Sequence, residues 1–204
     1  FHNYLYVMNA QKLHRYSRIT SHSQETIELF EAMLENAPLL KPILFLGFSP
    51  RCVRVDGIKR DEDELKKIVA GFTNRLARRT DQALFPLMWF AGVEETMDDP
   101  RLHAHTALFG ERGIEPRIAY ELQPREEITR RDGRVYFRKL GKLEAEPYVP
   151  GLGGIAYSVN HHFPMKFKSL FYPHGKSERR KERFEPFTDH LRTAYRLLNE
   201  QAFM

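Results

Sequence analysis

Leu87-Met88-Trp89-Phe90-Ala91-Gly92-Val93-Glu94, the segment Asp98-Asp99-Pro100, and Leu102-His103-Ala104-His105-Thr106-Ala107-Leu108-Phe109 together decide the fold. Two apolar runs of strand length are separated by a short polar stretch rich in turn formers, so they are expected to pair as an antiparallel hairpin. Side chains two apart on a strand share a face. His103 and His105 should therefore stand side by side, Ala104 should face the other way, and Glu94 should lie across the hairpin.

Working outward, Ile43-Leu44-Phe45-Leu46-Gly47-Phe48 is a continuous apolar run opened by Pro42 and closed by Ser49-Pro50, which reads as a central strand. Between this run and the hairpin, Leu65, Ile68, Val69, Phe72 and Leu76 recur at steps of three and four and predict a helix over 61–80. Arg75, Arg78 and Arg79 fall in its last turns, where positive charge suits the helix dipole. Upstream, Ser23 looks like an N-cap for a helix reaching about Asn36, with Ile27, Leu29, Phe30 and Leu34 apolar. Residues 1–23 read equally as an arm or a first strand.

Downstream, Asp132-Gly133 marks a second hairpin between Glu127-Ile128-Thr129 and Val135-Tyr136-Phe137. Glycines 151, 153 and 154 open a short helix, Ile155 to His162, that must stop before Pro164. A final helix is expected from about Phe187 to Gln201. One long crossover helix among several strands points to an α+β fold with a mainly antiparallel central sheet flanked by helices. Three segments follow: an N-terminal arm and helix (1–39), a core (40–165), and a basic C-terminal helical extension (166–204).

The 204 residues suit one domain, and 42% hydrophobic with 12% aromatic residues is enough to build a core. Lys plus Arg exceed Asp plus Glu by 32 to 27, for a net charge of +5. That balance is compatible with a polyanionic partner and does not require one. Cys52 is the sole cysteine, which excludes an internal disulfide and a Cys-based zinc site and fits a reducing, cytoplasmic compartment. No run is apolar and long enough to span a membrane. The first ten residues lack a basic n-region, so no secretory leader is expected, and the opening Phe suggests a piece of a longer chain.

Two neutral imidazoles on one strand face can bind a divalent cation, although His-x-His on a solvated sheet would need no such explanation. Some fifty residues later, Tyr157 and His161 are four apart and share a helical face. A phenol and a further imidazole would reach the sheet if that face packs against it. Glu94, His103-Ala104-His105 and Tyr157-Ser158-Val159-Asn160-His161 together resemble the HUH endonuclease superfamily of rolling-circle replication initiators, relaxases and single-strand transposases. The likeness covers roughly 40–165. Two features depart from common members: Asn160 stands where many initiators have lysine, and the motif holds one tyrosine. His161 matches the transposase-like spacing.

The resemblance implies a ferredoxin-like nuclease core and Mg²⁺ or Mn²⁺ bound by His103, His105 and a third ligand, either His161 or Glu94. It further implies single-stranded or hairpin origin DNA as substrate, Tyr157 as nucleophile, and a 5′-phosphotyrosine intermediate. A helicase and other replication proteins would be partners. Arg51, Arg54, Lys59 and Arg60, with Arg179, Arg180 and Lys181, are the candidate DNA-backbone contacts. Two other readings stand beside this one: a non-catalytic nucleic-acid-binding module with structural histidines, and a metal-dependent phosphoesterase using activated water.

Overall fold

A computed structural model describes residues 22–50, 62–93, 101–161, 163–164 and 178–200. Helix α1 (Gln24–Glu35) precedes strand β1 (Lys41–Pro50), helix α2 (Glu62–Thr80), and strands β2 (Leu84–Val93) and β3 (Arg101–Gly110). A short helix α3 (Pro116–Glu121), the strands β4 (Arg125–Thr129), β5 (Val135–Lys139) and β6 (Gly141–Pro147), helix α4 (Gly154–His161), strand β7 (Phe163–Pro164) and helix α5 (Glu178–Glu200) follow. The main sheet has the order β6-β1-β3-β2-β7, and β4 with β5 forms a separate two-stranded ribbon. This is an α+β fold on an antiparallel sheet.

The hairpin expected from sequence forms, with register running from Leu84 opposite Gly110 to Val93 opposite Arg101. Because β3 also pairs antiparallel with β1, from Lys41 opposite Gly110 to Phe48 opposite Ala104, it is the central strand. Strands β1 and β2 flank it and run parallel to each other, joined by α2. The result is a split βαβ unit with β3 inserted between its two strands.

The pleat sorts side chains onto two faces. Leu44, Leu46 and Phe48 share one face with Ala104, Thr106 and Leu108, and α2 covers that face with Ile68, Val69 and Phe72 beside Leu46 and Phe48. The other face presents Phe85 opposite Phe109, and both rings pack on Phe187 of α5, with centroids 5.3 and 5.5 Å away. Helix α1 buries Ile27, Phe30 and Leu34 at helical spacing, and the Phe30 ring meets Tyr195 of α5 edge-on at 5.4 Å. Burial of each such large apolar side chain stabilises the fold by about 1.5–3 kcal/mol.

Residues from α1, the sheet and α5 belong to one hydrophobic core. The C-terminal helix is therefore part of the packing rather than an appendage. It also begins nine residues before Phe187, where sequence placed its start, and contains Pro186. Proline removes one helical hydrogen bond, and burial of Phe184 and Phe187 on either side of it holds the helix through that position. Ser23 caps α1 as expected, its Oγ accepting from the Thr26 N–H at 3.2 Å. In α1, however, Leu29 is 46% exposed while Glu31 is 8% exposed, the reverse of what hydrophobicity suggests.

Strand β6, which sequence reading did not separate from the charged 111–150 region, pairs with β1 from Leu44 opposite Pro147 to Pro50 opposite Gly141. A Cβ added at Gly141 would lie 2.1 Å from the Ser49 carbonyl oxygen and 2.6 Å from Pro50 Cα. Backbone cannot yield as a flexible side chain can. Gly141→Ala is expected to lower stability by about 1–3 kcal/mol, a fall in melting temperature of several degrees by circular dichroism. An unchanged melting temperature would show that β1 and β6 are not so closely apposed.

Candidate functional site

Helix α4 is assembled by contacts from outside itself. Gly151 and Gly153 both have φ +76°, the left-handed conformation that lets the chain turn sharply into the helix. The first free N–H groups of the helix then meet a carboxylate from α1. Glu31 Oε1 accepts from Ile155 N–H at 2.9 Å and Ala156 N–H at 3.2 Å. Negative charge at this position complements the positive end of the helix dipole. The Tyr148 hydroxyl stands 2.7 Å from Glu35 Oε1 and 3.1 Å from Glu31 Oε1, and Glu35 Oε1 also accepts from the Gly151 N–H at 3.0 Å. Two glutamates of α1 therefore hold both the entry loop and the first turn of α4.

Burial and the adjacent glutamate acceptors and charges keep Tyr148 a neutral phenol, its pKa raised well above the usual tyrosine value. A group whose folded pKa exceeds its unfolded value near ~10 contributes stability that is complete below that pH and is lost as pH rises above it. Stability measured by denaturant titration should fall above about pH 10, and more shallowly in Tyr148→Phe than in the parent chain. Identical alkaline slopes would contradict this linkage.

Within α4, Ile155, Ala156, Ser158 and Val159 are buried, while Tyr157 is half-buried. The Tyr157 ring lies over the face of the sheet opposite α2, with its centroid 5.6 Å from the His105 imidazole and the planes at 60°. On its other flank His105 meets Phe45 of β1, also at 5.6 Å. His105 is half-buried and stands between Trp89 of β2 and Gly47 of β1 in register. Beyond Gly47 in the same row comes Glu144 of β6, whose Oε2 would be 3.4 Å from a Cβ at position 47. The Glu144 side chain thus lies against Gly47, and its carboxylate is ion-paired with Lys142.

His103 occupies the register position opposite Ala91, two residues along β3 from His105. His161 is the last residue of α4, four after Tyr157. The structure thus brings β3 and α4, the two elements that carry the proposed residues, into contact. Glu94, Arg51, Arg54, Lys59 and Arg60 lie outside the described residues, and Arg179, Arg180 and Lys181 fall in the first turn of α5. Among the described residues, no three His, Cys, Asp or Glu side chains converge as a metal-binding group. The donor types at His103 and His105 nevertheless suit a divalent first-row cation or Mg²⁺ completed by carboxylate and phosphate oxygens.

Sequence reading did not single out Glu31, Glu35, Tyr148, Phe45 or Glu144. For Glu31 a signal was present. It is a charge on the stripe formed by Ile27, Phe30 and Leu34, at a spacing that points it inward. No family model, no curated protein and no solved structure matches this chain.

Proposed function

We propose that this chain is a metal-dependent DNA nicking and joining enzyme of the HUH type, acting on single-stranded DNA through Tyr157. The observation that carries this reading is the ring contact between His105 and Tyr157 at 5.6 Å. They come from elements about fifty residues apart, each of which sequence alone had marked for chemistry. Both side chains are half-buried rather than enclosed.

In this mechanism the Tyr157 oxygen attacks the scissile phosphorus. The P–O3′ bond breaks, the departing oxygen takes up a proton as a 3′-hydroxyl, and the 5′-phosphate remains on the phenol. The phenolic proton passes to solvent or a nearby base. Attack by the 3′-hydroxyl on the phosphotyrosine reverses the reaction and joins the strand. His103 and His105, with His161 or Glu94, would hold the cation, which supplies charge neutralisation at the phosphate when bound. The His105 ring, fixed between Phe45 and Tyr157, orients the nucleophile against the sheet. Glu31 fixes the helix on which Tyr157 rides. By its likeness to replication initiators, the biological setting is initiation of rolling-circle replication of a plasmid or phage.

The test is incubation with end-labelled single-stranded oligonucleotides, including hairpins, in Mn²⁺ or Mg²⁺. A protein–DNA adduct resistant to denaturation and mapped by mass spectrometry to Tyr157 is expected, with none in chelator. Binding without cleavage on any substrate would favour a non-catalytic module instead.

A further inference from the structure

On the α2 side of the sheet, a cleft of about 510 Å³ lies between α2 and the β4–β5 ribbon. Its size is within the roughly 300–1,000 Å³ common for ligand clefts. Lys67 and Arg75 line it from α2, Arg125 and Phe137 from the ribbon, and Pro124 and Leu140 form its floor. Phe137 is 65% exposed, an unusual position for the largest apolar group on a short ribbon. Arg125 pairs with Lys139 and Phe137 with Glu127, so alternation puts Lys139 on the same ribbon face as Phe137.

No carboxylate among the described residues neutralises the cations of this cleft. Among the described residues, none of Lys67, Arg75 and Arg125 is in an ion pair, and Arg75 reaches only the Leu122 carbonyl, at 3.5 Å. The one acidic lining residue, Glu121, is itself paired with Arg117 at 3.6 Å. An exposed aromatic ring with Lys67, Arg75 and Arg125 around it, unpaired among the described residues, and with Glu127 as its cross-strand neighbour, still carries the net positive charge that suits a stacked nucleobase with its flanking phosphates. An acidic peptide would use the cations but gain nothing from the flat ring.

We propose that this cleft is a second nucleic-acid subsite, holding single-stranded DNA by stacking a base on Phe137 and setting phosphates against Lys67, Arg75 and Arg125. The ribbon joins the sheet at Gly141, opposite Pro50, which is the end of β1 where Phe48 meets Ala104 beside His105. The cleft is on the α2 face and the His105–Tyr157 contact on the other, so the two sites lie on opposite faces of the sheet. The subsite rests on the proposed use of single-stranded DNA, but not on cleavage.

The experiment is fluorescence anisotropy of a labelled 20-nucleotide oligodeoxythymidine with the whole chain over a range of salt, without divalent metal. Phe137→Ala should weaken binding about 10-fold. Lys67→Gln with Arg75→Gln should make the log–log salt dependence shallower by about 1.4. Arg78→Gln with Arg79→Gln, the same charge change on exposed residues of α2 outside the cleft, should alter neither. Parent-like affinity in Phe137→Ala, an equal slope change in the Arg78/Arg79 control, or equal displacement by oligoglutamate would overturn the subsite. The Tyr157 adduct is read separately on the same variants. An adduct with no cleft dependence sinks only the subsite, whereas cleft dependence with no adduct sinks only the nicking mechanism.

Discussion

Tyr157→Phe is expected to abolish the covalent DNA adduct and to reduce cleavage by at least about 10³-fold, which is about 4 kcal/mol of lost transition-state stabilisation. The substitution removes one oxygen and retains the ring, so the contact with His105 at 5.6 Å and the packing of α4 persist. Melting temperature should be unchanged to within a degree or two, which separates loss of the nucleophile from loss of the fold. The informative contrary result is persistent cleavage with Phe at this position and free 3′ and 5′ ends. That outcome would reassign the site to a phosphoesterase using activated water.

Glu31→Ala is the second large effect, and it acts at a distance from the phosphate. The carboxylate is 8% exposed and accepts hydrogen bonds from Ile155 and Ala156 N–H, with the Tyr148 hydroxyl also in reach. Deleting it strands donors in a buried setting, and bonds to a charged acceptor contribute about 1.5–3 kcal/mol each before solvent reorganisation. A net destabilisation of about 2–4 kcal/mol is expected. At roughly 2–4 °C per kcal/mol for a chain of this size, the melting temperature should fall by about 4–16 °C. Adduct formation should fall further than folded population alone explains, because Tyr157 is two residues from Ile155. Glu31→Gln keeps one acceptor oxygen and should restore much of both. If Glu31→Ala melts with the parent chain, the cap is not a structural support.

The parts of the fold that were readable in the sequence are those whose pattern is local. Residues 87–94 and 102–109 are apolar runs of strand length on either side of turn formers, 61–80 carry a helical stripe, and Asp132-Gly133 sits between two short strands. These elements appear where the pattern put them. Strand β6 did not declare itself because Lys142-Leu143-Glu144-Ala145-Glu146 contributes only two inward residues, and its pairing with β1 is what makes it a strand. The expected start of helix α5 near Phe187 falls just after Pro186, where an isolated helix would break, while the buried aromatics on both sides supply long-range packing that no local rule sees.

For the site, His105 and Tyr157 were legible as residue types at meaningful spacing. Their adjacency was not, since it depends on how α4 docks. That docking is set by Glu31 and Glu35, whose hydrogen-bond partners lie 113 to 125 residues away in the chain. The apolar stripe points Glu31 inward, but nothing near it in the sequence names its partner. Only the fold shows that its carboxylate faces the start of another helix.

The central position of β3 has a consequence for local opening. His105 sits on a strand hydrogen-bonded along both edges, so releasing its backbone means breaking two ladders, and its amides should exchange with solvent only through near-global unfolding. Tyr157 rides on an eight-residue helix whose first turn is held by the Glu31 carboxylate and whose Ile155, Ala156, Ser158 and Val159 are buried. A two-turn helix exposes less on release than a strand paired on both edges, so the two elements are expected to differ in opening free energy by hydrogen exchange. Under the proposed nicking reaction, release of the tyrosine helix by a subglobal fluctuation would let a nucleophile carrying a covalently attached strand leave the sheet and return while the imidazole platform stays fixed.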